Sequence, residues 1–373
     1  MRVDRLQLTG FRSYQALDVT FGAGPQVVVG PNAAGKTNLI EGLAVLGTGR
    51  SHRAAADAEL IAWAADFARL EALVVDDGGQ PANIELVMAR SGAAGGRRRI
   101  RVNGVPRRAS ALAGVLPLVV FAPEDMLLVV GSPSLRRASI DALVARTTPS
   151  ATAAFATYAR ALTQRNNLLR AIREGSAEPA ELAYWSGVVI DEGARIVTWR
   201  RESMARLARP LAEAHAEIAP AEGSLSLSYV SNAEPAPGED VGAALRRRLI
   251  ETAEKEVWNG ATLVGPHRDD LSFVLDGREL AAFASRGQQR TAILAFKLAE
   301  LELLRQANGR PPLLLLDDVF SELDPERRAH LVQRIGELPQ AFVTTTTLDD
   351  LDQALVAAST CWQVSASGLQ VTR

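Results

Sequence analysis

Apolar residues along the chain keep two rhythms, a period of two and a period near 3.6, and the places where one gives way to the other mark its organisation. Positions 3–21, "VDRLQLTGFRSYQALDVTF", alternate apolar and polar on both sides of a turn-like "GFRSY" and predict a strand pair. The valines at 27–29 predict a buried strand that runs into a glycine loop. After that loop Leu39, Ile40, Leu43 and Leu46 recur on one helical face. From about position 70 to 105, "RLEALVV", "NIELVMA" and "RRRIRVNG" alternate again between Gly-rich turns, predicting antiparallel strands, and "LPLVVF" is a short strand before the loop "APEDM".

After "GSPS" the texture becomes helical. Residues 135–258 are rich in Ala, Arg and Leu, with helices predicted over 154–172, 181–208 and 241–257 and one strand-like break, "SLSLSYV", at 224–230. Strand rhythm returns at "LSFVLDG", followed by a helix carrying Ile293, Leu294, Leu298, Leu301 and Leu304. "PPLLLLDDVF" sets four leucines before two carboxylates, as a buried parallel strand would, and "AFVTTTT" reads as its neighbour. The pattern predicts an α/β head, a mixed sheet with an antiparallel β subdomain, interrupted by a helical lobe. The boundaries are 1–130 for the first part of the head, 131–258 for the lobe and 259–373 for the rest of the head.

The glycine loop carries chemistry. Gly30, Pro31, Asn32, Ala33, Ala34, Gly35, Lys36 and Thr37 satisfy G-x-x-x-x-G-K-[ST] between a strand and a helix. Glycines let backbone N–H groups turn inward around phosphates, and the following helix presents the positive end of its dipole. Lys36 would reach the β- and γ-phosphates of ATP, and the Thr37 hydroxyl would ligate Mg²⁺. Asp317, at the end of a buried strand beside the loop's own strand, is the candidate metal carboxylate, and Asp318 the group that orients water. The plainer readings are a Gly-rich turn capping a helix and an Asp pair capping the next element.

Composition narrows the partners. Forty-one basic against forty-three acidic residues leave a formal charge of −2, so contact with nucleic acid requires a local patch rather than an overall field. Only Lys36, Lys255 and Lys297 are lysines, which sets the loop lysine apart from the arginine background. One cysteine, Cys361, allows no internal disulfide, the N-terminus lacks the core of a signal peptide, and no apolar run approaches the roughly 20 residues of a membrane span. A cytoplasmic protein with no membrane association is expected.

"ASRGQQR" precedes the long apolar helix, so Ser285 and the amides of Gly287 and Gln288 would stand at its N-terminus, facing an anion. Alone this is a plain helix cap. Followed by the LLLLDD strand and then "SELD", it resembles the ABC-type ATPases. "GPNAAGKTNLIEG", "GRSHR", "FAPEDMLLVVGSPSLRR", "GPHRDDLSF", "SRGQQRT" and "LLLLDDVFSELD" together are similar, in order and spacing, to the RecF family of SMC-like DNA repair ATPases. The resemblance spans nearly the whole chain. It implies an ABC/SMC-like P-loop ATPase head and an ATP-dependent homodimer in which Ser285 and Gly287 of one copy complete the nucleotide site of the other. It also implies sequence-independent binding of gapped DNA near single-strand to double-strand junctions, and partnership with RecO and RecR in loading recombinase. Arg12 would touch the α-phosphate, and Arg50 or Arg53 would do so across the dimer; each is equally well read as a solvated arginine. Glu124 or Asp125 would approach the metal side or simply shape a turn. The sequence departs from the ABC pattern at Arg286, where a glycine is usual, at Asp318, where Glu is commoner, and at Thr345, which stands near the place of the transporters' switch histidine. Slow hydrolysis is the expectation.

Arg97, Arg98, Arg99, Arg101, Arg107 and Arg108 crowd one predicted hairpin and would hold DNA phosphates, or form a solvated face that protects a sheet edge. Arg136 and Arg137, and Arg246, Arg247 and Arg248, are further clusters open to a DNA, partner or solubility role. A transporter subunit would place these motifs closer together, a metabolic kinase needs no "SRGQ", and a scaffold that binds ATP without hydrolysing it is the remaining alternative.

Overall fold

A computed structural model of the chain describes residues 1–90, 98–365 and 368–372. They divide into two compact units. One comprises Met1–Met126, Glu213–Glu222 and Arg290–Arg373, and the other Leu127–Ala212 and Gly223–Gln289.

The first unit holds two six-stranded sheets. In the antiparallel sheet the order is Tyr14–Thr20, Arg2–Phe11, Phe67–Val75, Pro81–Ala89, Arg99–Val102 and Val105–Pro106. Alternation decides its faces: Leu6, Leu8, Leu70, Ile84, Leu86 and Ile100 point into the core, while Arg5, Gln7, Arg69, Glu71, Glu85 and Arg101 lie on the other side. In the second sheet the order is Gly368–Val371, Thr360–Ser365, Gly24–Val29, Gln340–Thr345, Leu313–Asp317 and Leu118–Phe121, all parallel except the first pair. Its strands Leu313–Asp317 and Gln340–Thr345 are buried at every residue; the first accordingly reads as an unbroken leucine run, while the second buries Gln340, Thr344 and Thr345 along with its apolar residues.

Between the sheets lies the helix Lys36–Thr48, in contact with strands of both. The sequence suggests one apolar face, but with a sheet on each side the helix is buried nearly all round. A Cβ on Gly47 would come within 2.3 Å of Leu118 and 2.7 Å of the Leu116 carbonyl, so only glycine permits this approach.

The second unit is mainly helical, with Pro133–Thr147, Ala151–Arg173, most of Leu182–Ile218, Val241–Glu251 and Ala253–Asn259. Three expectations are corrected. The helix expected to end at 208 runs through Pro210 to Ile218, because a proline within a long helix removes one hydrogen bond without ending it when packing supplies the rest. The helix over 241–257 breaks at Thr252 into two. The strand Asp270–Leu275, assigned to the head by its rhythm, pairs antiparallel with Leu225–Val230 and falls in the second unit, so the unit boundary lies at Gln289 rather than 258. No helix among the described residues is long and apolar enough to cross a membrane.

Candidate nucleotide site

Strand register builds the site. Across the parallel ladders Val29 stands opposite Thr345, Thr344 opposite Asp317, and Leu316 opposite Phe121, so four strands end level and their carboxyl ends open together. In open α/β sheets that edge is where ligands bind. The strand order corrects one expectation: Leu313–Asp317 is not beside the phosphate-loop strand, because Gln340–Thr345 lies between them.

The loop leaves Val29, is tied to the next strand by Gly30 N–H donating to Thr345 O at 3.3 Å, and leaves Pro31, Asn32 and Ala33 exposed. Gly35 adopts φ 110°, and a Cβ there would meet the Ser13 and Tyr14 oxygens at 3.0 and 3.2 Å. Tyr14 also donates its hydroxyl to Gly35 O at 3.0 Å. Lys36 folds back over the loop, its Nζ donating to Gly30 O at 2.6 Å and Pro31 O at 3.0 Å. Burial pushes the Lys36 pKa down, against the pull of Asp318 and Asp317.

Thr37 Oγ1 donates to Asp317 Oδ1 at 3.1 Å, joining residues far apart in sequence. The same oxygen accepts the Thr344 hydroxyl at 2.7 Å, and Thr344 Oγ1 in turn accepts Asp318 N–H at 2.9 Å. Asp318 sits at φ 54°, a left-handed turn that swings the chain sharply after the strand. A cavity of about 20 Å³, room for one water, lies against Asp317, Asp318 and Arg290 and is otherwise walled by apolar side chains including Phe121, Met126 and Leu323. Among the described residues no three His, Cys, Asp or Glu cluster as a metal cage. The Thr37 and Asp317 oxygens nevertheless fit a hard cation that takes its remaining ligands from phosphate and water, as Mg²⁺ does.

Other expected residues stand in different company. The Arg12 guanidinium forks onto Glu41 at 2.7 and 2.8 Å and donates to Glu59 O at 2.9 Å, so a contact with the α-phosphate would require that fork to open. Arg53 pairs with Glu124 at 3.3 Å and Glu41 at 3.6 Å, while Arg50 is exposed. Burial works against the charge of Glu41, yet Arg12, Ser51 and Arg53 hold its pKa below the ordinary carboxylate range. Asp125 takes the turn role: it accepts Ala122 N–H at 2.9 Å and pairs with Lys297 at 2.8 Å. Thr345 donates its hydroxyl to Thr347 O. Sequence reasoning passed over Tyr14, Glu41 and Thr344; a lone Glu within the apolar helix "NLIEGLAVLG" is the one signal that was available.

Ser285 and Gln288 cap the helix Arg286–Asn308 reciprocally: Gln288 N–H donates to Ser285 Oγ at 3.2 Å, and Ser285 N–H to Gln288 Oε1 at 2.9 Å. Ser285 and Arg286 are exposed, so the helix tip faces solvent.

The arginine clusters are largely spoken for. Arg136 makes a fork to Asp270 at 2.7 and 2.8 Å, and Arg137 donates to Asp269 O, so the "SPSLRR" and "GPHRDD" motifs clasp each other. Arg247 pairs with Glu239 and Glu251, and Arg248 with Glu251. In the hairpin Arg97 lies outside the described residues, Arg98 pairs with Asp57, and Arg101 faces Glu85 at 3.7 Å, leaving Arg99, Arg107 and Arg108 as its exposed arginines.

A strand, a glycine loop and a buried helix, with a threonine and a carboxylate meeting at the ends of parallel strands, define a P-loop ATPase head of the ABC/SMC type. The chain matches the family model "RecF/RecN/SMC N terminal domain" over residues 2–367. It is 38% identical to the DNA replication and repair protein RecF of Limosilactobacillus fermentum over 377 residues, 99% of each chain. A solved structure described as the recombination mediator protein RecF-ATP in the RecFOR pathway superimposes with TM-score 0.90 and 27% identity, covering 100% of this chain and 97% of that one. An Smc head bound to the C-winged helix domain of ScpA shares the fold at TM-score 0.55 and 16% identity, covering 100% and 98%. The chain belongs to the RecF/RecN/SMC N-terminal domain family and, within it, to the RecF branch.

Proposed function

We propose that the protein is an ATP-driven homodimer of DNA repair and replication-fork maintenance. It binds gapped DNA near single-strand to double-strand junctions and acts in the cytoplasm with RecO and RecR to load recombinase. Lys36 and the loop from Gly30 to Thr37 hold the triphosphate, Thr37 and Asp317 hold Mg²⁺, and Asp318 orients the attacking water. Bound Mg²⁺–ATP supplies the phosphoryl group and the cation that offsets its charge. Ser285 and Gly287 of a second copy complete the site.

The observation that carries this reading is the exposed, reciprocally capped helix tip at Ser285, an anion-favouring end offered to solvent. Asp318 is one methylene shorter than glutamate, which supports slow turnover; stimulation of that turnover by DNA is part of the proposal. The exposed Arg99, Arg107 and Arg108 support a sequence-independent grip on DNA phosphates.

Sedimentation with and without ATP and gapped DNA tests the reading. The wild type is expected to double in mass with ATP, whereas Ser285→Arg binds ATP and stays monomeric. A nucleotide-loaded wild type that remains monomeric on and off DNA would overturn it.

A further inference from the structure

We propose that Thr344 is a positioning residue for ATP hydrolysis, one hydroxyl that fixes both the metal-side carboxylate and the backbone of the water-orienting aspartate. The proposal rests on the ATPase reading of Asp317 and Asp318 and is independent of the two-copy site.

Thr344 is fully buried at the end of Gln340–Thr345, the strand inserted between the phosphate-loop strand and Leu313–Asp317. Its register partner is Asp317, and neighbours in register on adjacent strands share a face of the sheet. A hydroxyl has one hydrogen to give and lone pairs to receive. Thr344 gives its hydrogen to Asp317 Oδ1 at 2.7 Å and receives the N–H of Asp318 at 2.9 Å. The first bond sets the rotation of the carboxylate that Thr37 also reaches, at 3.1 Å on the same oxygen. The second holds the left-handed turn at Asp318, φ 54°, where the backbone decides which way the side chain leaves the strand. Both aspartates are therefore aimed by one atom that itself belongs to neither the phosphate loop nor the metal set.

The next hydroxyl along, Thr345, is turned to its own loop, donating to Thr347 O at 2.8 Å, and cannot take over. Valine would keep the shape of Thr344 and lose both bonds. Serine would keep both bonds and lose a methyl.

The test compares Thr344→Val with Thr344→Ser. Steady-state ATP hydrolysis is measured, together with the Mg²⁺ concentration needed for half-maximal retention of a fluorescent ATP analogue and the unfolding midpoint without nucleotide. A displaced reacting group costs on the order of 100-fold, so the valine variant is expected to lose about that much in kcat, with KM nearly unchanged and a raised Mg²⁺ requirement. Serine should restore both. Wild-type kcat and Mg²⁺ dependence in the valine variant would overturn the proposal. So would equal impairment of valine and serine, which would make Thr344 a packing residue. Should the valine variant not fold, Thr344→Ala carries the same comparison against serine. A wild type that never associates with ATP would defeat the two-copy reading and leave this inference standing, since both Thr344 bonds lie within one chain.

Discussion

The polar network at the strand ends and the one inside the helical unit are built from similar residues and are satisfied in opposite ways. In the helical unit Arg165 is sealed between Glu256, Thr262 and Ser186, and Arg200 between Asp141 and the Pro266 carbonyl. Each guanidinium is buried against acceptors of its own unit. At the strand ends Lys36 donates to two carbonyls of its own loop, and the loop's crown is exposed. A closed network holds a shape, whereas the proposed phosphate site would keep its cation on neutral partners that a charged phosphate oxygen outcompetes. The motifs most distinctive in the sequence, "SPSLRR" and "GPHRDD", turn out to belong to the closed kind. Arg136 and Arg137 of the first reach the Asp270 carboxylate and the Asp269 carbonyl of the second.

Three experiments would break or sharpen this contrast. The largest effect is expected from Arg165→Met, which leaves Glu256 buried and uncompensated. Chemical denaturation should show a loss of about 3–5 kcal/mol, and a stability within error of wild type would show that the closed network is not structural. Lys36→Ala should do the reverse. Loss of a positioned cation at a phosphate costs roughly 10²–10³ in kcat, while the unfolding free energy should move by no more than about 1–2 kcal/mol, the worth of the two hydrogen bonds removed. Retained hydrolysis would separate Lys36 from the phosphates.

The smallest effect concerns pH. His267 sits in the closed network, bonded to Tyr158 at 2.7 Å and Thr262 O at 3.1 Å, and burial lowers its pKa from 6.5 to about 4. Above 6.5 both folded and unfolded forms are neutral and the group contributes nothing to the pH dependence. Between 6.5 and 4 the unfolded chain binds the proton and the folded one does not, so stability falls as pH falls, by at most about 1.4 kcal/mol per pH unit. His267→Gln should flatten that slope in urea titrations across the window; an unchanged slope would assign the acid sensitivity to other groups.

Much of this was legible beforehand where chemistry is local. The phosphate loop requires particular residues at fixed spacing, and four leucines ending in Asp317 announce a buried strand whatever lies beside it. The capping pair Ser285 and Gln288 is likewise a contact between residues three apart. The helix Lys36–Thr48 was found but its burial was understated, because periodicity reports the face nearest one layer and not a second sheet packed on the other side.

By itself, then, the sequence determined the loop, the helix that follows it, the carboxylate strand and the order in which they occur, since each is written in contiguous residues. Tertiary structure alone decided which hydroxyl among the four threonines at 344–347 reaches Asp317, because identical neighbours differ only in the strand register that places one of them opposite the carboxylate. It decided also that Arg101 meets Glu85 and Arg136 meets Asp270, pairings across sheets and helices that neutralise charges the bare sequence presents as open. The physical reason is the same in each case: composition fixes how many charges and hydroxyls exist, and only the packing of distant strands and helices fixes which partner each one meets.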